Sequence, residues 1–374
     1  MPGFKRKIFY LSGFDPRGAR FYRQLYAEQA ARFGQNIGHD ISVGGRRREP
    51  PHSAAWSVKD QDADAETDYV FLGWDDVVRA HWVKNPLGLL GRSIRAYWHF
   101  TRRVDWSIVH RFPRGVKVAF YYPGVSTILL PILFTLLLAV PLVVLMGWGW
   151  GIAAALLAGA VIAMVVVKKI QGFWLLRFII FNDTLASGLP PDVDERMARF
   201  ADQIRQSFEE PWDEILLVTH SNGSILAMPI MARLLDSSGG TLPDGFSLVT
   251  LGSSIPLIGA RRDSRHFRAL LDTVARGDFR WLDINSITDG ACIAGIDPCI
   301  GGGARPRGLF QTSPRWFKYC DPATYAARRR NKYETHFDYL RTFDTVSPLD
   351  YLAISSGGRP LAASIEAFKA ENDG

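Results

Sequence analysis

Cysteine is scarce in this chain. Only Cys292, Cys299 and Cys320 occur among 374 residues. An odd count without a C-x-x-C pair argues against both a disulfide framework and a zinc site. No P-loop, G-x-G-x-x-G or H-E-x-x-H pattern is present, so neither a cofactor nor a metal is expected. The first residues are not expected to be a secretory leader: Lys5, Arg6 and Lys7 precede an apolar run too short for one, broken by Ser12 and Gly13. The composition is not that of a disordered chain, with 47% hydrophobic and 22% charged residues. The net charge of +7 accompanies no nucleic-acid-binding motif, and no nucleic-acid partner is expected.

The most informative absence is local. Between Lys117 and Lys168 there is not one Asp, Glu, Lys or Arg. Residues 125–148 are long enough to cross a hydrocarbon core, and residues 151–167 lie at the short end of the same range. The connection 147–151 alternates Gly with Trp148 and Trp150, ring systems that suit a bilayer interface. Pro131 and Pro141 are expected to kink the first span without preventing it. Arg102, Arg103, Arg111, Arg114 and Lys117 precede the apolar block, and Lys168, Lys169 and Arg177 follow it. This distribution predicts a two-pass hairpin with both flanks on the cytoplasmic side. The expected partner is the lipid bilayer. Residues 86–112 mix Tyr97, Trp98, Phe100 and Trp106 with five arginines, and read as a helical stretch at the membrane interface or packed on the domain. Residues 173–181 are aromatic and apolar, and are expected to lie along the membrane surface.

Outside this block, β-type and helical patterns alternate. Strands are expected at 7–11, 41–43, 55–58, 68–74, 215–218, 246–251 and 280–286; helices at 19–33, 75–82, 193–208 and 264–275. Residues 44–51, with three arginines, read as a solvated turn. The alternation predicts an α/β fold, a mainly parallel sheet flanked by helices. It divides into residues 1–112, a hairpin segment 113–181, and residues 182–374.

The chain is organised around residues 214–227, Glu-Ile-Leu-Leu-Val-Thr-His-Ser-Asn-Gly-Ser-Ile-Leu-Ala. A buried-strand run stops at Thr219-His220-Ser221-Asn222-Gly223, and a helical apolar pattern starts at once. Such a turn lifts the Ser221 hydroxyl above the sheet edge and aims the next backbone N–H groups at what it attacks. Thr219 stands where a glycine is usual. An ordinary Asn-Gly turn is the alternative. Near the N-terminus, a strand followed by Ser12-Gly13-Phe14-Asp15-Pro16-Arg17-Gly18 and a helix could supply a second N–H donor close to Phe14.

From Ser221 onwards the chain resembles the α/β-hydrolase superfamily of serine hydrolases. The similarity lies in this elbow, in Leu248-Val249-Thr250-Leu251-Gly252-Ser253, in residues 281–289, and in a late histidine within Glu334-Thr335-His336-Phe337-Asp338. The order Ser, Asp, His is the one that fold uses. The resemblance implies Ser221 as nucleophile, Asp289 as acid, His336 as base, and the N–H groups of Asn222 and Phe14 as oxyanion donors. The charge-free block and its basic flanks read as an insertion ahead of the elbow. Asp297 is the rival acid, and Asp283, inside a strand, is expected to be structural. His39, His52, His81, His99 and His110 precede the elbow, and His266 precedes the acid. His220 is expected to point away across the turn. The implied function is a membrane-anchored serine hydrolase acting on carboxylic, lipid-type esters. The alternative is a non-catalytic α/β-hydrolase-like membrane scaffold or assembly protein.

Overall fold

The computed structural model describes residues 3–45, 47–49 and 51–372. Nine strands form one sheet: β1 (Phe4–Leu11), β2 (Ile41–Val43), β3 (Arg47–Glu49), β4 (Ser53–Asp60), β5 (Ala65–Phe71), β6 (Glu214–His220), β7 (Phe246–Leu251), β8 (Arg280–Ile284) and β9 (Leu309–Thr312). Their spatial order is β2-β4-β5-β1-β6-β7-β8-β9, and β3 pairs with β4 as well. The block from β5 through β9 is parallel. β2 and β3 run antiparallel to β4, which runs antiparallel to β5. The sheet is therefore mixed: the expected parallel block is extended on one side by the antiparallel strands β4, β2 and β3. Residues 61–64, joining β4 to β5, are too few for a parallel crossover and leave only a hairpin.

β1 lies between β5 and β6, so segments on either side of the apolar block share one sheet. Its residues alternate between two cores. Phe9 and Leu11 join Leu217, Leu248 and Trp281 on one face; Ile8 and Tyr10 join Leu216, Val218, Val249 and Leu282 on the other. Helices cover both faces, which is why the central strands are apolar throughout. On the first face lie Pro191–Gln206, through Met197, Phe200 and Ile204, and the helix Asn222–Ser237; on the second lies Ala19–Ile37, through Tyr22, Tyr26 and Phe33.

The apolar block forms two antiparallel helices, Arg114–Met146 and Trp148–Lys169, each long and apolar enough to cross a membrane. The first is longer than expected and continues through Pro123, Pro131 and Pro141. The connection shrinks to Gly147, at φ 79°, so Trp148 and Trp150 stand on the second helix instead of in a loop. Gly151, Ala155, Gly159, Ala163 and Val167 form its buried stripe. A Cβ on Gly159 would fall 2.6 Å from Thr135 Oγ1 and 2.7 Å from the Thr135 nitrogen. Small residues four apart let the two backbones touch, as in membrane helix pairs. The outer faces expose Leu136, Val140, Val144, Leu157 and Val165.

Three further expectations change. The stretch 86–112 is a helix, Pro86–Arg103, and a separate turn, Trp106–Val109. Residues 173–181 do not lie on a surface: they belong to the helix Gly172–Ser187, whose Leu176, Phe178, Ile179 and Phe181 are buried. The Phe181 ring stacks on Phe14 at 4.4 Å, so burial against the domain wins over lipid contact. Arg47 and Arg48 sit in β3, still exposed as expected of the arginine turn; Arg46 lies outside the described residues. β9 and the helix Leu361–Asn372 had no sequence counterpart.

The hairpin seam gives a direct test. Gly159→Val should destabilise the protein by about 1–3 kcal/mol through overpacking, read as a lower unfolding midpoint in detergent. Gly149→Ala, where a Cβ would meet nothing within 4 Å, should leave the midpoint unchanged.

Candidate functional site

β6 is buried at every position and ends at His220. Ser221 then takes φ 57° and ψ −125°, and the helix Asn222–Ser237 begins at the next residue. A non-glycine residue in that region costs on the order of 1–3 kcal/mol and persists only where its surroundings fix it. They do so here. The Ser221 N–H donates to the Leu251 carbonyl at 2.9 Å, and the Ser224 N–H donates to the Ser221 carbonyl at 3.0 Å. A Cβ on Gly223 would strike the Leu11 carbonyl oxygen and lie 2.8 Å from that of Ser12. A Cβ on Gly13 would come 2.9 Å from Ser221 Cβ and 3.3 Å from its Oγ. Both glycines are required by close approach. Thr219 is fully buried, its Oγ1 donating to the Val249 carbonyl at 3.4 Å, so the departure from glycine is accommodated.

His336 sits on the short helix Lys332–Phe337, after β9. Its Nδ1 lies 2.8 Å from Asp289 Oδ2, and both side chains are buried. Asp289 follows β8, and its Oδ1 accepts the Ala291 N–H at 2.8 Å. Burial alone would raise the Asp289 carboxyl. The adjacent His336, its hydrogen bond and the Ala291 N–H outweigh that and hold it below the usual carboxylate range. His336 Nε2 is buried without a hydrogen-bond partner. The Ser221 Oγ to His336 Nε2 hydrogen bond is thus not formed.

Ser221 and His336 line one cavity of about 430 Å³, shared with Gly13, Phe14 and His220. Its remaining wall comes partly from the hairpin's exit: Lys168, Gln171, Phe173, Trp174 and Arg177. The first loop is pinned from outside. Trp74 Nε1 donates to the Ser12 carbonyl at 3.0 Å, and Trp174 Nε1 donates to the Phe14 carbonyl at 3.4 Å. The Asn222 and Phe14 N–H groups have no hydrogen-bond acceptor among the described residues.

The rival acid lies elsewhere in the network. Asp297 caps the Cys299 N–H at 2.9 Å and faces Arg305 at 3.4 Å. Asp283 is locked in the sheet by Thr250, Asn285 and Gln311.

His220 contradicts its expected orientation. Its Nε2–H donates to the His336 carbonyl at 2.8 Å, and the two rings lie 4.8 Å apart. At the last position of β6 the side chain projects from the sheet towards the short helix carrying His336. Adjacency to Ser221 in sequence hid this, because only the fold brings residue 336 to it. Desolvation, with His336 nearby, pushes the His220 pKa down to about 3, so the ring is neutral and serves as a fixed donor. Arg17, Lys168, Trp174 and Arg177 were likewise not legible as cavity residues. Their only sequence signal was position beside a candidate loop or an apolar segment.

Among the described residues one group has metal-ligand chemistry, His39, Asp60 and Asp62, with donor atoms within 4.8 Å of one another. His39 pairs with Asp60 at 3.0 Å, while Asp62 accepts the Asp40 N–H at 2.7 Å. None of the three lines the cavity.

No family model, curated protein or solved structure matches the chain.

His220 yields a pH prediction. Its folded pKa near 3 lies below the ordinary value of 6.5, so the unfolded chain binds the extra proton. Its contribution is complete above pH 6.5, declines as pH falls, and is gone below about 3. Between pH 7 and 5, wild type should lose about 2 kcal/mol more stability than His220→Gln, measured by denaturant unfolding at each pH.

Proposed function

We propose that this chain is a membrane-anchored serine hydrolase that cleaves carboxylic esters of a lipid type. The observation that carries the reading is the combination at one cavity. Ser221 is held at a strained strand-to-helix corner, and a buried His336–Asp289 pair presents an unpartnered Nε2 to the same space. A hydroxyl is a weak nucleophile until a base removes its proton. With Nδ1–H given to Asp289, the free lone pair of His336 is on Nε2, the atom a general base needs. The missing Ser221–His336 bond fits a site whose contacts tighten only with substrate.

In this mechanism Ser221 Oγ attacks the ester carbonyl carbon as its proton passes to His336 Nε2. The oxyanion that forms is stabilised by the N–H groups of Asn222 and Phe14. One such donor is worth roughly 10²–10³ in rate. Collapse breaks the carbon–oxygen bond to the alcohol, which leaves with the proton from His336. Water, deprotonated by the same nitrogen, then releases the acid from Ser221. Asp289 keeps the imidazole in one tautomer and offsets its transient charge.

The hairpin supports a bilayer seat. So does the helix Pro86–Arg103, which buries Leu89, Ala96 and Phe100 yet exposes Leu87, Leu90, Ile94 and Trp98. Arg102 lies 4.2 Å over the Trp98 ring, a pairing suited to headgroup depth. The excess of cations on both flanks supports a cytoplasmic orientation of the domain.

Ser221→Ala should abolish fluorophosphonate labelling and lower kcat on acyl esters by about 10⁶, with circular dichroism unchanged. Equal labelling of both proteins would leave the non-catalytic membrane scaffold as the reading. Asp289→Asn should cost about 10⁴ in kcat, whereas Asp297→Asn should stay close to wild type. Reversal of those two effects would move the acid to Asp297.

A further inference from the structure

The charge around the cavity is uneven. Its only lining carboxylate among the described residues, Asp15, is closed off by Arg17, whose Nε and Nη2 reach it at 2.9 and 2.6 Å. Tyr22 also donates to it at 2.9 Å. That leaves Lys168 and Arg177 on the wall without a salt-bridge partner among the described residues. Arg177 is half-buried. Its Nε donates to the Val83 carbonyl at 2.8 Å and its Nη1 to the Phe173 carbonyl at 2.9 Å. The guanidinium lies 5.0 Å over the Trp82 ring, and Nη2 makes no hydrogen bond. A half-buried cation held in place by carbonyls, with no counter-ion, is a site that gains from an incoming anion.

The other walls are aromatic: Phe14, Phe173, Trp174 and Phe337. Lys168 stands in the last turn of the second hairpin helix, directly below its exposed apolar faces. An anion with an apolar tail fits these surroundings better than a free ion does.

We infer that the cavity takes an acyl lipid with an anionic, phosphate-type headgroup, held between Lys168 and Arg177 while the acyl carbonyl lies at Ser221. The inference rests on the hydrolase reading and names its substrate class. Charge on the headgroup is read by the membrane insertion itself, and the chemistry by the sheet beneath it.

The test uses the full chain carrying Ser221→Ala, in neutral maltoside micelles, with binding followed by tryptophan fluorescence. Ether-linked lysophosphatidylglycerol and a 1-alkylglycerol of equal chain length are the two probes. The anionic ether should bind at least about tenfold more tightly, the scale of one charge-assisted contact. Adding Lys168→Gln and Arg177→Gln together should bring the ratio of affinities close to one. Lys168→Gln alone, at an exposed side chain without a protein partner, should reduce the ratio on its own should the double variant misfold. Equal affinities in the parent, or a ratio that survives the variants, would overturn the inference. Displacement of the anionic ether by micromolar inorganic phosphate would also overturn it, by making the ligand a soluble anion. Binding here does not depend on turnover. Loss of headgroup preference therefore sinks this inference alone, while absence of ester cleavage by the wild-type protein, with Ser221 in place, sinks the hydrolase reading.

Discussion

The structure depends on one close contact, the seating of the β6–helix corner on the end of β1. Gly223 lies against the Leu11 and Ser12 carbonyls, and Gly13 lies against Ser221. No side chain fits in either place. Because the backbones touch there, the chain can reverse within one residue, and Ser221 is forced into a conformation that non-glycine residues avoid. The same contact brings the first loop, and with it Phe14, beside the serine. Parallel pairing of β1 with β6 sets the register of both, and the two buried cores hold that register from either face.

Around this corner the site is supported in layers. Asp289 fixes the His336 ring through Nδ1, and His220 fixes its backbone through the carbonyl. Tyr339 in turn accepts the Ser286 N–H at 2.9 Å, steadying the loop that carries Asp289. These groups are buried, so each unmade hydrogen bond would cost more than one at the surface. The exception is His336 Nε2, buried without a hydrogen-bond partner in a residue that lines the cavity.

The apolar helix pair is not separate from the site. Its two helices pack through a small-residue stripe. Near its base, Phe120 meets Phe100 at 4.3 Å, and Tyr97 donates to the Phe120 carbonyl at 2.7 Å. The chain leaving the second helix then turns across the cavity, adding Trp174 and Arg177 to its wall before Phe181 stacks on Phe14. A segment that looks separable by composition is therefore part of the pocket. Changes in the hairpin are expected to reach the site through this helix.

Sequence alone determined what depends on neighbours along the chain. A charge-free apolar interval, a β-type run stopping at Ser221-Asn222-Gly223, and a Ser, Asp, His order are all one-dimensional signals. Hydrophobic period and glycine position are read directly from them. The central strands followed, because burial on both faces leaves a continuous apolar mark. β3 and β9 were not marked, being short, exposed or half-buried, and paired at the periphery of the sheet. Tertiary structure decided the rest. It turned residues 173–181 inward, swung His220 towards a short helix more than a hundred residues away, and set Lys168 and Arg177 around the cavity of Ser221. Those outcomes arise from contacts between segments distant in sequence, where packing and desolvation, not local pattern, determine which side chains meet.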